Sequence, residues 1–123
     1  MTVQTEGCAP LARAWQRLGD GNLADAVMHR SRFMWPWEDT PASLAHGILD
    51  DETYDWWAIL DGMKSSDGAA VIANENVIAR THQLALVNTT IPVSATGSAG
   101  LAGMMRVASK DRTSAVIFSG IER

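Results

Sequence analysis

The chain is poor in the residues that most often mark a site. It has one cysteine, one tyrosine, three histidines and only two lysines, Lys64 and Lys110, among its ten cationic residues. The lone Cys8 can form no disulfide within the chain and has no basic neighbour close in sequence, so it reads as a small buried side chain rather than a nucleophile. His29, His46 and His82 stand on separate segments without the i, i+4 or Cys-x-x-Cys spacing of a zinc site, which argues against a bound metal. His29 and His82 read as helix-surface or partly buried side chains. Positive charge is scarce too. The net charge of −4 and a pI near 5.2 leave no basic footprint of the kind nucleic acid requires. No apolar run approaches the roughly 18 residues of a membrane span, and Met1–Glu6 lacks a signal-peptide pattern, so no membrane partner and a cytoplasmic location are expected.

What is present suits one small domain spanning 1–123, since 46% of 123 residues are hydrophobic and can bury a core. A short strand is expected at 2–5, then a helix from Pro10 to about Leu18 with Leu11, Trp15 and Leu18 on one face. Gly19-Asp20-Gly21 breaks it, and a second helix runs from Ala24 to about Arg30. Residues 32–40, with Trp35-Pro36-Trp37, form an irregular aromatic loop. From Asp50 or Asp51 as N-cap a helix runs to about Met63, with Trp56 facing the core. A buried strand at 69–73 and a helix capped by Asn74 follow, with Val77, Ile78, Thr81, Leu84 and Ala85 inward. Strand 91–94, helix 97–109 and strand 114–118 complete the chain. Strands alternating with helices imply an α/β fold of three layers, a mainly parallel sheet with helices on both faces.

The stretch Ile91-Pro-Val-Ser-Ala-Thr-Gly-Ser-Ala-Gly-Leu-Ala-Gly103 carries the most information. Gly97, Gly100 and Gly103 fall three apart and line one side of a helix, although each costs roughly 1 kcal/mol relative to alanine. Two readings stand: tight helix-on-sheet packing, or close approach by another backbone or a flat ligand. Ser119-Gly120 follows the apolar run Ala115-Val-Ile-Phe118. At the carboxyl end of a parallel strand such a hydroxyl can bond a heteroatom of a bound ring, or it can bond its own turn.

Val93–Gly103 together with Val116-Ile-Phe-Ser-Gly120 resembles the C-terminal end of the tryptophan-synthase-β-like, fold type II pyridoxal-phosphate enzymes, closest to threonine synthase and its uncharacterised relatives. Gln4-Thr-Glu-Gly-Cys-Ala-Pro-Leu-Ala-Arg-Ala-Trp15 and Ser43-Leu-Ala-His-Gly-Ile48 extend the likeness over most of the chain, which then corresponds to the final third of such an enzyme. The resemblance implies that Ser119 meets the pyridine nitrogen, with Gly120, Gly47, Ser94, Thr96 and Gly97 beside the cofactor and His46 as a candidate ligand contact. The family's Schiff-base lysine and glycine-rich phosphate loop have no counterpart here. Lys64 and Lys110 lie in polar stretches and read as solvated. The resemblance thus implies a chain that is not catalytic alone and binds no cofactor alone, but takes pyridoxal phosphate when a separate N-terminal chain completes it. The family's Glu-Pro stands as Ser94-Ala95 and its Asp or Glu as His46, departures that weigh more against dehydratase or racemase chemistry than against a synthase-like ancestry.

Five tryptophans in 123 residues include the pairs Trp35/Trp37 and Trp56/Trp57. Trp35, Trp37 and Trp57 are expected to cover an apolar surface at a self-contact, most simply a two-fold dimer. A free-standing oligomeric binding or structural protein derived from the same fold is the alternative reading.

Overall fold

The computed structural model describes residues 1–107 and 113–122. Its elements run β1 (Thr2–Thr5), α1 (Pro10–Leu18), α2 (Leu23–Met28), a single 3₁₀ turn at Arg30–Arg32 and another at His46–Ile48, α3 (Trp56–Ser65), β2 (Ala70–Ala73), α4 (Glu75–Asn88) and α5 (Ala95–Val107). β1 and β2 pair in parallel, Val3 opposite Val71 and Thr5 opposite Ala73. The fold is α/β, a small parallel sheet sandwiched between helices.

Alternation along the strands divides the core in two. On one face Val3 and Ala73 pack with Ala99 and Ala102 of α5 and Ile78 of α4. On the other, Ala70 packs against a cluster of Leu11, Ala14 and Leu18 from α1 with Trp56, Leu60 and Met63 from α3. Trp56 is 3% exposed and stacks on Phe33 with ring centroids 6.3 Å apart. Burial of side chains of this size stabilises by about 1.5–3 kcal/mol each.

Local chemistry sets most helix boundaries. Pro10 opens α1, where its missing N–H is harmless, and Gln4 of β1 supplies the cap: its Oε1 accepts from the Ala12 N–H at 2.9 Å. Asn22 Oδ1 accepts from Ala24 N–H at 2.8 Å, and Asn74 Oδ1 from Val77 N–H at 2.9 Å, so both asparagines are N-caps. In the loop 32–40 the Arg13 guanidinium lies 3.6 Å from the Trp35 ring centroid and 5.1 Å from that of Trp37, and ion-pairs with Glu38 at 2.7 Å. Trp35 Nε1–H also donates to Glu38, which holds that carboxyl below its ordinary range, with Arg13 adding to the effect.

Four expectations are corrected. α3 begins at Trp56 rather than Asp50 or Asp51, because the Asp50 and Asp51 carbonyls accept from the Cys8 thiol (3.3 Å) and the Trp37 N–H (3.0 Å) instead of starting a helix. On α4, Leu84 is 37% exposed and His82 is buried, its Nε2–H donating to the Val93 carbonyl at 3.0 Å. Residues 91–94 form no strand, since Val93 makes a single antiparallel bridge to Ile121. Residues 114–118 form none either: the segment runs irregularly beside α5, with Ile117 84% exposed and no ladder to β1. α2 and α5 match their expected places with shifted ends, and Ala108, Ser109 and Lys110 lie outside the described residues.

The glycine stripe of α5 is a packing surface. A Cβ on Gly103 would collide with the Val3 side chain, one on Gly100 would touch Val116, and one on Gly97 would overlap the Gly120 carbonyl and lie 2.7 Å from its nitrogen. Gly97→Ala should therefore destabilise the fold by about 2 kcal/mol, because backbone presses on backbone and neither can yield as a side chain would. Gly62, mid-α3 with nothing within 4 Å of an added methyl, is the control: Gly62→Ala should stabilise by about 0.5–1 kcal/mol in the same urea titration. Equal effects at the two positions would contradict this account.

Candidate functional site

Three segments distant in sequence are laced together at the N-terminus of α5. Ser94 is its N-cap: the hydroxyl accepts from Gly97 N–H at 3.0 Å and the carbonyl from Ser98 N–H at 2.9 Å. The C-terminal segment docks here through Ser119 N–H to the Gly97 carbonyl (3.2 Å), Ser94 N–H to the Gly120 carbonyl (3.1 Å) and Glu122 N–H to the Pro92 carbonyl (2.9 Å). The third segment is the 3₁₀ turn, whose Gly47 N–H donates to Thr96 Oγ1 at 3.0 Å. Glu75, just past the carboxyl end of β2, accepts from the Leu44 N–H at 2.9 Å and so fixes that turn to the sheet. Ligands in parallel α/β folds gather at this end of the strands.

The lacing borders an open cavity of about 610 Å³ lined by Leu44, His46, Gly47, Ser94, Ala95, Thr96, Ile121 and Glu122. Of the residues the resemblance singles out, His46, Gly47, Ser94 and Thr96 line it directly. Gly97 and Gly120 are packed against each other beneath the wall. Ser119 is exposed next to Gly97, and the cavity wall on that side is made by Ile121 and Glu122. Leu44, Ile121 and Glu122 were not legible as site residues: Leu44 depends on its bond to Glu75, the other two on the Val93–Ile121 bridge, and neither has a local sequence signal.

The cavity is rich in neutral donors and acceptors and holds one titratable side chain on each side, His46 and Glu122. It offers no amine. Lys64 is exposed on α3 and donates to the Gly21 carbonyl at 2.6 Å, while Lys110 lies outside the described residues. No group of three His, Cys, Asp or Glu among the described residues could hold a metal ion. No helix among them is long and apolar enough to cross a membrane. Cys8 is fully buried, and burial, followed by the nearby Asp51 and Asp50, pushes its thiol pKa up.

The tryptophans divide. Trp35 and Trp37 are half-buried against Arg13, with Arg17 4.9 Å from the Trp35 ring centroid. Trp57 is 50% exposed and lines an apolar groove with Leu23, Val27 and Met28.

No family model matches the sequence, and no curated protein matches it significantly. Among solved structures, the T.th. threonine deaminase shares the fold with a TM-score of 0.60 at 16% identity over 85% of this chain. The chain spans 31% of that structure's length, about a third. At this identity the likeness is one of fold. It bears on the fold alone and does not single out threonine synthase.

Two measurements check the site. Ser94→Ala should cost about 1 kcal/mol through the lost cap, and Ser94→Asp should recover most of it; an unchanged urea midpoint for Ser94→Ala would rule the cap out. For Cys8 the neutral thiol is favoured in the folded state, so stability should fall as pH rises past the ordinary thiol range, where the unfolded chain ionises first. A flat alkaline profile, or fast labelling of the native thiol at neutral pH, would contradict its burial.

Proposed function

We propose that the chain supplies the ring side of a fold type II pyridoxal-phosphate site and is not catalytic by itself. The observation that supports the reading best is the cavity lined by His46, Gly47, Ser94 and Thr96, beside which Ser119 N–H donates to the Gly97 carbonyl and Ser94 N–H to the Gly120 carbonyl. The residues fit one part of that cofactor and not the rest. Small side chains, hydroxyls and glycine backbone leave room for a flat ring, and the exposed Ser119 hydroxyl has no hydrogen-bond partner among the described residues. Among the described residues the lining carries no amine to hold the aldehyde and no cluster of glycine N–H groups to hold a phosphate.

The cofactor, when bound, supplies an electron-withdrawing ring. This chain's part is to seat that ring, Ser119 donating to or accepting from its nitrogen and Gly47 keeping the opposite wall low. A Cβ at Gly47 would lie 2.8 Å from Thr96 Cγ2. A polypeptide carrying the lysine and phosphate cradle would complete the site, and a threonine-synthase-like lyase in the cytoplasm is the activity we infer for the completed enzyme. The exposed Trp57 groove favours a second reading, a free-standing oligomeric binding protein.

Adding pyridoxal phosphate to the chain alone should give only weak, scattered modification after borohydride reduction; stoichiometric trapping on Lys64 or Lys110 would overturn the reading. Pyridoxine, which lacks both aldehyde and phosphate, should shift the amide resonances of Gly47, Gly97 and Ser119 in a saturable titration. Ser119→Ala should weaken that binding by about 0.5–1.5 kcal/mol, the net worth of one hydrogen bond made by an exposed hydroxyl. Unchanged affinity in that variant would remove Ser119 from the site.

A further inference from the structure

The sheet has two strands among the described residues, and its outer edges differ. Thr2 N–H donates to the Ala69 carbonyl and Glu6 N–H to the Ala73 carbonyl, which fixes the phase of the ladder: Thr2, Gln4 and Glu6 turn toward β2, and Val71 and Ala73 toward β1. The N–H and C=O of Val3 and Thr5 therefore point away on one edge, and those of Ala70 and Ile72 on the other. The β1 edge is partly closed. Thr5 C=O accepts from Cys8 N–H at 3.1 Å, and Ala115, Val116 and Ile117 border Val3 across a narrow cleft. Among the described residues the β2 edge is open: Ala70 and Ile72 have no backbone partner on that side, and Gln16, Arg106 and Val107 flank the edge around a hollow of about 360 Å³.

Natural edges are guarded by charge, proline, a bulge or a covering element. The run Ala69-Ala-Val-Ile-Ala73 has none of the first two, and its pairing with β1 is regular, without a bulge. We propose that the outer edge of β2 is a self-association surface on which a second copy of the chain adds its own β2 in antiparallel pairing. The outward groups are self-complementary. They sit at Ala70 and Ile72, symmetric about Val71, so a two-fold axis through Val71 sets Ala70 against the partner's Ile72 and Ile72 against the partner's Ala70. Each of these is a hydrogen-bonded pair that exchanges two N–H···O=C bonds, so every outward group of both edges is satisfied. The two-fold consumes the edge and yields a closed four-stranded sheet rather than a fibre. Small side chains at 69, 70 and 73 let the second backbone approach. This surface goes beyond the ring-side reading and differs from a contact through Trp35, Trp37 and Trp57, two of which are already engaged by Arg13.

The test combines light scattering with residue-resolved amide exchange on the unmodified chain across a hundredfold concentration range. A dimer should form, and the Ala70 and Ile72 amides should exchange at least tenfold more slowly at high concentration than at low, while Val71 and Ala73 stay protected throughout. Ile72→Pro removes an N–H that no described bond within the chain uses and should weaken the dimer at least tenfold, whereas Trp57→Ala should leave it intact. A monomer at every concentration overturns the proposal, as does a dimer in which the Ala70 and Ile72 amides are insensitive to concentration. A dimer lost in Trp57→Ala with those amides unprotected overturns it too, and assigns the contact to the α2/α3 groove instead.

Discussion

The bare side of α5 is the constraint on which the rest of the structure hangs. Gly97, Gly100 and Gly103 carry a helix-propensity cost of roughly 1 kcal/mol each, and each admits a different neighbour: the Gly120 backbone, the Val116 side chain and the Val3 side chain. The adjoining face, with Ala99 and Ala102, packs on Ala45, Ala73 and Ile78. One helix thus touches the sheet, the 3₁₀ turn and the C-terminal segment at backbone distance. The cavity follows from the same contact, because the Gly97–Gly120 approach brings Ser94 and Thr96 beside Gly47.

Elements whose signals are local were legible in the sequence. Pro10, Asn74 and the Gly19–Gly21 break mark α1, α4 and the turn, and each acts within a few residues of itself. Elements whose existence depends on distant partners were not. Ala115–Phe118 has the composition of a buried parallel strand, but a strand is defined by its neighbours, and β1 offers it a cleft rather than a ladder. Asp50 and Asp51 look like helix caps until Cys8 and Trp37 claim their carbonyls. The same division runs through the site. Gly47, Ser94, Thr96 and Gly97 stand in stretches with a recognisable pattern, whereas Leu44 and Glu122 are brought in by single long-range bonds.

Tryptophan content alone was a poor guide to surface because one cation changes the meaning of two indoles. Arg13 sits over both Trp35 and Trp37, pairs with Glu38 and donates to the Trp35 carbonyl, so the aromatic loop is pinned to α1 by a side chain of that helix. A cation over an indole is worth about 0.5–2 kcal/mol, rising with desolvation, and the Arg13 side chain is only 16% exposed. Trp57 stands half open on α3, with no such cation among the described residues.

The cavity and the open edge of β2 express one property of this fold seen from two sides. A parallel sheet is stable when its strands are covered on both faces and its edges are paired, covered or guarded. Here the faces are covered by α1, α3 and α5, so the core needs nothing more, and the shortfall falls on the edges and on the site beyond the strand ends. A shortfall at an edge consists of unpaired N–H and C=O groups, which any extended backbone can satisfy. At the site, on the ring-side reading proposed above, it consists of an amine and a phosphate cradle, which only particular residues can supply. The first can be met by another copy of the same chain. The second cannot, because a second copy would bring the same two lysines in the same polar stretches. On that reading, self-association through the β2 edge and completion of the site would be separate events.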